Sequence, residues 1–412
     1  MRLLNDSVSV RPAEKSAGRS SSEAPLANGT QRERALEAVV RLAAAVDAGW
    51  EDADPHPALA AAGGRALFLY HAAAAGLAEP RRAAERARAV MGALREHRLD
   101  DSLHFGIAGV AWLRAHLEPA GAARATRALD ERLARHLDAR PWSGRDDLLY
   151  GLAGIAVRFL ERPTDPLAAE CLERVATRLS ELAEPASRGR ITWRCRTVDP
   201  ALPASAPARY DLGVAHGVPG QIAALAGIHA AEIATERAGE LLEGAVPWVL
   251  DQVEPEGDGG RLPHFAGDER SGRTAWCRGD LGAALALLAA ARALDREDWR
   301  RAAVALLRAA AERPAERTRV ADAAVCHGAA GLALCFARGW EATGDPVLAR
   351  AAERWGLRAA ALEPAPPDGD GLLRGTAGVG LALLTVAGVT SAPWDRVLAT
   401  SVAGVPPEPA PP

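Results

Sequence analysis

The feature that most limits what this chain can become is a glycine step that recurs along it. Gly-x-x-Gly, followed by small apolar residues, occurs at Gly106–Gly109, Gly151–Gly154, Gly217–Gly220, Gly279–Gly282, Gly328–Gly331 and Gly375–Gly378. A degenerate copy, Ala61-Ala62-Gly63-Gly64, precedes them. Copies lie about 45 to 66 residues apart, room for two helices and their connections. Glycine at a helix start lets another backbone pass where a Cβ would collide. Between the steps, apolar residues recur at three- and four-residue intervals, as in Ala35–Ala48, Arg81–Arg95 and Trp299–Arg313. That is the pattern of amphipathic helices.

Seven such helix pairs either stack as an open solenoid or close on themselves. Closure is expected here, with Gly-led helices inside and Arg/Glu-rich helices outside. Cysteine motifs in repeats five and six and a histidine in repeat four then share one end of a central cavity. The chain is therefore read as all-α, with one helical domain over residues 33–400, a disordered leader over 1–32 and a Pro-rich tail over 401–412. The interval from Glu184 to Tyr210 breaks the pattern and predicts a small inserted loop or strand segment. A second break, Gly257–Arg273, is charged and glycine-rich and leads directly to Cys277. Both are expected near the cavity mouth.

Composition narrows the function classes. A formal charge of -4 gives no electrostatic case for nucleic acid or an anionic membrane. No stretch of about 18 uncharged apolar residues predicts a membrane span. The first residues lack a continuous apolar segment and do not read as a secretory signal. Five cysteines, an odd number scattered over 412 residues, suit a cytoplasmic protein with metal or free thiols better than a disulfide framework.

Trp276-Cys277-Arg278-Gly279 and Cys326-His327-Gly328 carry the strongest chemical signal. Cys277, Cys326 and His327 can hold one zinc ion and leave its fourth position open, as catalytic zinc sites do. The bland alternative, three buried packing residues, loses to their matched placement ahead of two glycine steps. Cys171 and Cys335 fall within helical patterns and read as core, and Cys195 has no partner motif. His216 stands directly before Gly217, as His327 stands before Gly328, so repeat symmetry aims it into the same cavity. An imidazole there can move a proton near neutral pH. Asp147, four residues before Gly151, could orient an imidazole or simply cap a helix. Arg273, four before Cys277, could stabilise an oxyanion or sit in an exposed loop. Asp368-Gly-Asp370-Gly reads as a turn, without the remainder of a calcium loop.

These motifs resemble the lanthionine synthetase C-like family, the cyclases of lanthipeptide biosynthesis. The resemblance runs from about Pro55 to Leu398 and rests on Tyr210-Asp-Leu-Gly-Val-Ala-His216-Gly-Val-Pro-Gly220, Ala275-Trp-Cys277-Arg-Gly-Asp-Leu-Gly282, Val325-Cys326-His327-Gly-Ala-Ala-Gly331 and Gly371-Leu-Leu-Arg-Gly-Thr-Ala-Gly378. It implies an α/α toroid with zinc on Cys277, Cys326 and His327, and active-site roles for His216, Arg273 and Asp147. It implies addition of a peptide cysteine thiol to dehydroalanine or dehydrobutyrine, closing a thioether ring. A dehydrated precursor peptide, a separate dehydratase and an exporter are the partners it suggests, in a biosynthetic complex at most peripheral to the membrane. Arg278 departs from the pattern, because the position after the first zinc cysteine is commonly tyrosine. Arginine is a poor proton donor, so a hydroxyl's role cannot pass to it, although its charge could hold an enolate. Two other readings stay open: addition of an external thiol such as glutathione, and a zinc-stabilised toroid that binds a peptide without chemistry.

Overall fold

The computed structural model describes residues 24–26, 29–119, 121–196, 208–255, 259–268, 272–362, 371–390 and 393–401. Most of the stretches read as leader and tail, and the Asp368–Asp370 turn, lie outside them. Two concentric sets of helices organise the described chain. The inner set is α2 (Ala62–Ala74), α4 (Ile107–Leu117), α6 (Leu152–Leu160), α8 (Val218–Ala230), α10 (Asp280–Ala293), α12 (Ala329–Thr343) and α14 (Thr376–Val386). The outer set is α1 (Gly29–Ala48), α3 (Pro80–Ala93), α5 (Ala122–Leu137), α7 (Pro166–Leu182), α9 (Thr235–Leu250), α11 (Glu297–Glu312) and α13 (Pro346–Ala361). Each inner helix from α2 to α12 packs against the outer helix that follows it, and α14 packs against α2, which closes the ring. The fold is an α/α toroid.

Local sequence explains both sets. Outer helices α3, α7 and α13 begin at Glu79-Pro80, Asp165-Pro166 and Asp345-Pro346, where the carboxylate accepts from first-turn N–H groups. Proline fits the first helical position because that N–H has no intrahelical partner anyway. Six inner helices begin on the first glycine of their step, whereas α2 begins at Ala62 after Ala61, and the set is apolar almost all round, as in α14, where every residue is buried. The second glycine has a different task. A Cβ on Gly331 would collide with the carbonyl oxygen of Val325, which lies over the first turn of α12.

That packing repeats around the ring and builds a belt of backbone hydrogen bonds. The N–H two residues before each first glycine reaches the next repeat: His104 to Leu149 O (3.3 Å), Leu149 to Ala215 O (3.3 Å), Ala215 to Cys277 O (3.2 Å), Cys277 to Cys326 O (3.1 Å) and Cys326 to Leu373 O (2.8 Å). Ala60 N donates to His104 O at 3.0 Å, and Leu372 N to Leu59 O at 3.4 Å closes the circle. The residue before each belt position (Leu103, Leu148, Val214, Trp276, Val325, Leu372) is buried beneath it.

The ring's seventh outer helix is α1, seated on α13 and α14. It begins at Gly29, inside the stretch read as leader, and Arg32 Nε donates to Ala387 O at 3.1 Å. A two-stranded hairpin, β1 (Glu184–Pro185) and β2 (Ile191–Thr192), occupies the insertion between α7 and α8. After α14, a 3-10 turn at Trp394–Leu398 plugs the ring from beneath. His104 Nε2 bonds Val397 O and Trp276 Nε1 donates to Leu398 O, both at 2.8 Å, and Asp395 pairs with Arg338 of α12 at 2.7 Å. No described helix is long and apolar enough to cross a membrane.

Candidate metal centre and proton-transfer site

The residue just before each first glycine is the one left accessible: Phe105, Tyr150, His216, Arg278 and His327 are half-buried and Arg374 is exposed, while each glycine that follows is buried. The belt therefore presents one side chain per repeat at a common level. Cys277 and Cys326 are belt residues themselves, and His327 follows Cys326.

Their ligand atoms all lie within 4.8 Å of one another. Without metal, Cys277 is held well below the ordinary thiol range by a hydrogen bond from the Cys326 sulfhydryl, with help from His327 and Arg273. The same pairing, together with burial, raises Cys326. His327 supplies a sharper test of fit. Its Nδ1 is buried with no hydrogen-bond partner, and its Nε2 lies 3.7 Å from Asp322 Oδ2. A ligating histidine commonly offers one nitrogen to the metal and turns the other to a carboxylate. Two soft sulfurs plus that imidazole fit zinc with an open fourth position.

Arg273 and the fourth repeat flank this cluster. Arg273 Nη2 lies 3.8 Å from Cys277 Sγ, and its Nε is buried without a partner. His216 stands beside the belt contact of Ala215 with Cys277, and its Nδ1 lies 3.0 Å from Asp147 Oδ2. An ionised carboxylate only accepts, so Nδ1 carries the proton and Nε2 is left for a substrate. Asp147 is buried, and its other oxygen accepts from Tyr150 N at 2.6 Å. Arg278 turns to Asp211, at 2.7 Å from Nη2 and 2.8 Å from Nε, with its guanidinium 5.1 Å from the Phe265 ring.

Several residues around this site were missed by the sequence reading. Tyr150 and Phe105 share the position of His216 in their own repeats, a signal that was present in the alignment of glycine steps. Asp211 and Asp322 sit six residues before their glycines, where Arg273 and Arg145 stand in other copies. His264 reaches the site because Leu212 N donates to its carbonyl at 3.0 Å and Asp211 bridges Phe265. Its Nε2 is buried without a partner, and burial lowers its pKa, aided by Arg273 and Arg278. Nothing local in the charged break announced that pairing. Cys171 and Cys335 are buried in α7 and α12, and burial raises the Cys171 thiol to about 12.

Comparison with known proteins gives the same family as the motifs. Among solved structures, the chain is similar to nisin cyclase, with a TM-score of 0.72 at 19% identity over 87% of this chain and 97% of that one. No curated protein matches the chain by sequence. The family described as lanthionine synthetase C-like protein matches residues 60–399. With nearly the whole ring covered by that match, the chain belongs to the lanthionine synthetase C-like family.

Proposed function

We propose that this protein is a zinc-dependent lanthipeptide cyclase, joining peptide cysteine thiols to dehydroalanine or dehydrobutyrine of the same peptide. The observation that carries this reading is the convergence of Cys277, Cys326 and His327 within 4.8 Å, flanked by Arg273 and the Asp147–His216 pair. Zinc bound by those three residues would act as a Lewis acid that lowers the pKa of a peptide thiol.

The chain's own groups handle charge and protons. Attack of the thiolate on the β-carbon forms the C–S bond and moves the alkene electron pair toward the neighbouring carbonyl. Arg273 lies where its guanidinium can hold the negative charge developing on that oxygen. His216 Nε2 takes up the proton that the thiol loses and delivers it to the α-carbon, while Asp147 fixes the tautomer and steadies the imidazolium. Arg278 adds positive charge nearby, but its guanidinium is committed to Asp211. The thiol loses one proton and the α-carbon gains one, so ring closure leaves mass unchanged. The dehydrated peptide comes from a separate dehydratase in this scheme.

The test mixes zinc-loaded protein with a dehydrated peptide that carries free cysteine. Thiols should disappear without a mass change, and His216→Ala should slow this by about 10²-fold or more while retaining zinc. Thiols that persist with zinc-loaded protein would overturn the reading. A mass increase in the presence of glutathione would favour the external-thiol reaction instead.

A further inference from the structure

Tyr150, to which no role has yet been given, contacts both members of the proton-transfer pair. It precedes Gly151, so it is the counterpart of His216 one repeat earlier, and Leu149 N to Ala215 O sets the two side by side. Its backbone N–H donates to Asp147 Oδ1 at 2.6 Å, while the other oxygen of that carboxylate takes His216 Nδ1 at 3.0 Å. Its ring lies nearly parallel to the His216 imidazole, with centroids 5.8 Å apart and planes 14° from parallel. Phe105, the counterpart in the preceding repeat, stacks on Tyr150 at 4.9 Å and 9°. The Arg145 guanidinium lies 4.3 Å from the Tyr150 ring centre.

These contacts restrain His216 in two independent ways. A single hydrogen bond at Nδ1 fixes the ring's direction but leaves it free to tilt about that bond. A flat neighbour against its face removes the tilt. Phe105, Arg145 and His216 all lie against the Tyr150 ring, which braces it although it stays half-buried.

We infer that Tyr150 is a positioning residue that sets the plane in which His216 presents Nε2, and thereby the face of the α-carbon that receives the proton. The inference rests on the proton-transfer role proposed for His216. Protonation from one fixed direction gives one configuration at the new stereocentre, whereas a tilting donor gives a mixture. The flat ring is the working part, so phenylalanine should serve and a branched aliphatic of similar bulk should not.

Tyr150→Leu and Tyr150→Phe test this in the full chain loaded with zinc. Tyr150→Leu should lower kcat by about tenfold or more, as misplacement of a reacting group does. KM and zinc content should stay near the parent values, and a second diastereomer should appear among the hydrolysed thioether products. Tyr150→Phe should restore both rate and diastereomer ratio. An unchanged ratio in Tyr150→Leu overturns the inference, as does a Tyr150→Phe variant impaired as badly as Tyr150→Leu. A readout without turnover separates this from failure of the cyclase reading. In protein carrying ¹³C-labelled histidine rings, the His216 ring C–H signals should report a restrained orientation in parent and Tyr150→Phe, and motionally averaged signals in Tyr150→Leu, while Asp147 keeps the Nδ1–H tautomer in all three. Unaveraged signals in Tyr150→Leu overturn the inference whether or not the protein cyclises a peptide.

Discussion

Arg278 and Asp211 form an ion pair at 2.7 Å that ties the fifth repeat to the fourth. The carboxylate is fully buried, and its other oxygen accepts from Gly213 N at 2.8 Å. This pairing accounts for arginine next to Cys277: it is the counter-charge of a carboxylate that cannot reach water. Removing one partner of a buried pair leaves the other charge stranded, at a cost of roughly 3–5 kcal/mol. Arg278→Ala should therefore destabilise the fold by about 3 kcal/mol in urea titrations. Adding Asp211→Asn should recover much of that loss, because the neutral amide keeps the Gly213 bond without the charge. Equal losses in single and double variants would refute this account.

Metal binding is predicted to depend on a carboxylate that touches no metal. Freshly purified protein should hold one zinc per chain, and Cys326→Ala should lose it. Asp322→Asn should keep all three ligands yet weaken zinc by about tenfold or more, the usual effect of losing a histidine's orienting partner. Competition against a chelating dye measures this directly. Parent-like affinity in Asp322→Asn would mean that the 3.7 Å approach to His327 has no energetic role.

A pH prediction follows from two imidazoles at the inner helices. His71 Nε2 and His116 Nε2 lie 2.9 Å apart, so one donates and one accepts, and both are neutral. Burial lowers His71 to about 4 and holds His116 well below its ordinary value. Thr390 lies 3.2 Å from His71 Nδ1, Trp112 stacks on His116, and Arg396 and Asp395 of the plug act on His116 with opposite signs. As pH falls below 6.5, the unfolded chain takes up protons that the folded pair refuses, so their contribution to stability is lost between 6.5 and about 4. The loss from His71 is on the order of 2 kcal/mol by pH 5, and His116 adds to it in the same direction. Burial raises Asp146 to about 7, and that group works in the opposite direction. The useful measurement is thus a difference: a His71→Leu/His116→Leu variant should show a flatter fall in unfolding free energy from pH 7 to pH 5 than the parent. Identical slopes would rule the pair out as the source.

The glycine steps make a fourth structural test. Gly331→Ala must displace the Val325 carbonyl, one residue before Cys326, at a cost of about 2 kcal/mol or more. Zinc should be weakened together with stability. Gly92→Ala offers the control, since a Cβ there meets nothing within 4 Å in outer helix α3, and alanine is the better helix former. Thermal melts of the two variants should shift in opposite directions, and only Gly331→Ala should bind zinc more weakly than the parent.

Much of this arrangement was legible in the sequence because it is written in a local repeat. Six glycine steps announce six of the inner helices, and position relative to each step identifies Cys277, Cys326, His327 and His216 as neighbours at one level. What was not legible depends on contacts across long separations. The seventh outer helix, α1, belongs to α13 and α14, and no local period says that a first helix should pack on the last. Asp211 and Arg278 are 67 residues apart, and their pairing follows from packing of the fifth repeat on the fourth rather than from either segment. His104 holds the belt position of the two cysteines, yet its imidazole goes down to the plug at Val397. A sequence cannot announce that choice before the plug is in place.

The backbone belt also says something about timing. Among the described residues, the amide of Cys326 donates to Leu373 O in the seventh repeat, and that of Cys277 to Cys326 O. During synthesis, both thiols therefore exist for the length of a further repeat before their geometry can be completed. Contacts of such long sequence separation form slowly, so the two sulfurs meet a folding chain, and any competing metal, before they meet a finished site. Assembly from the N-terminal end would leave the cysteine cluster among the last parts of the ring to become rigid.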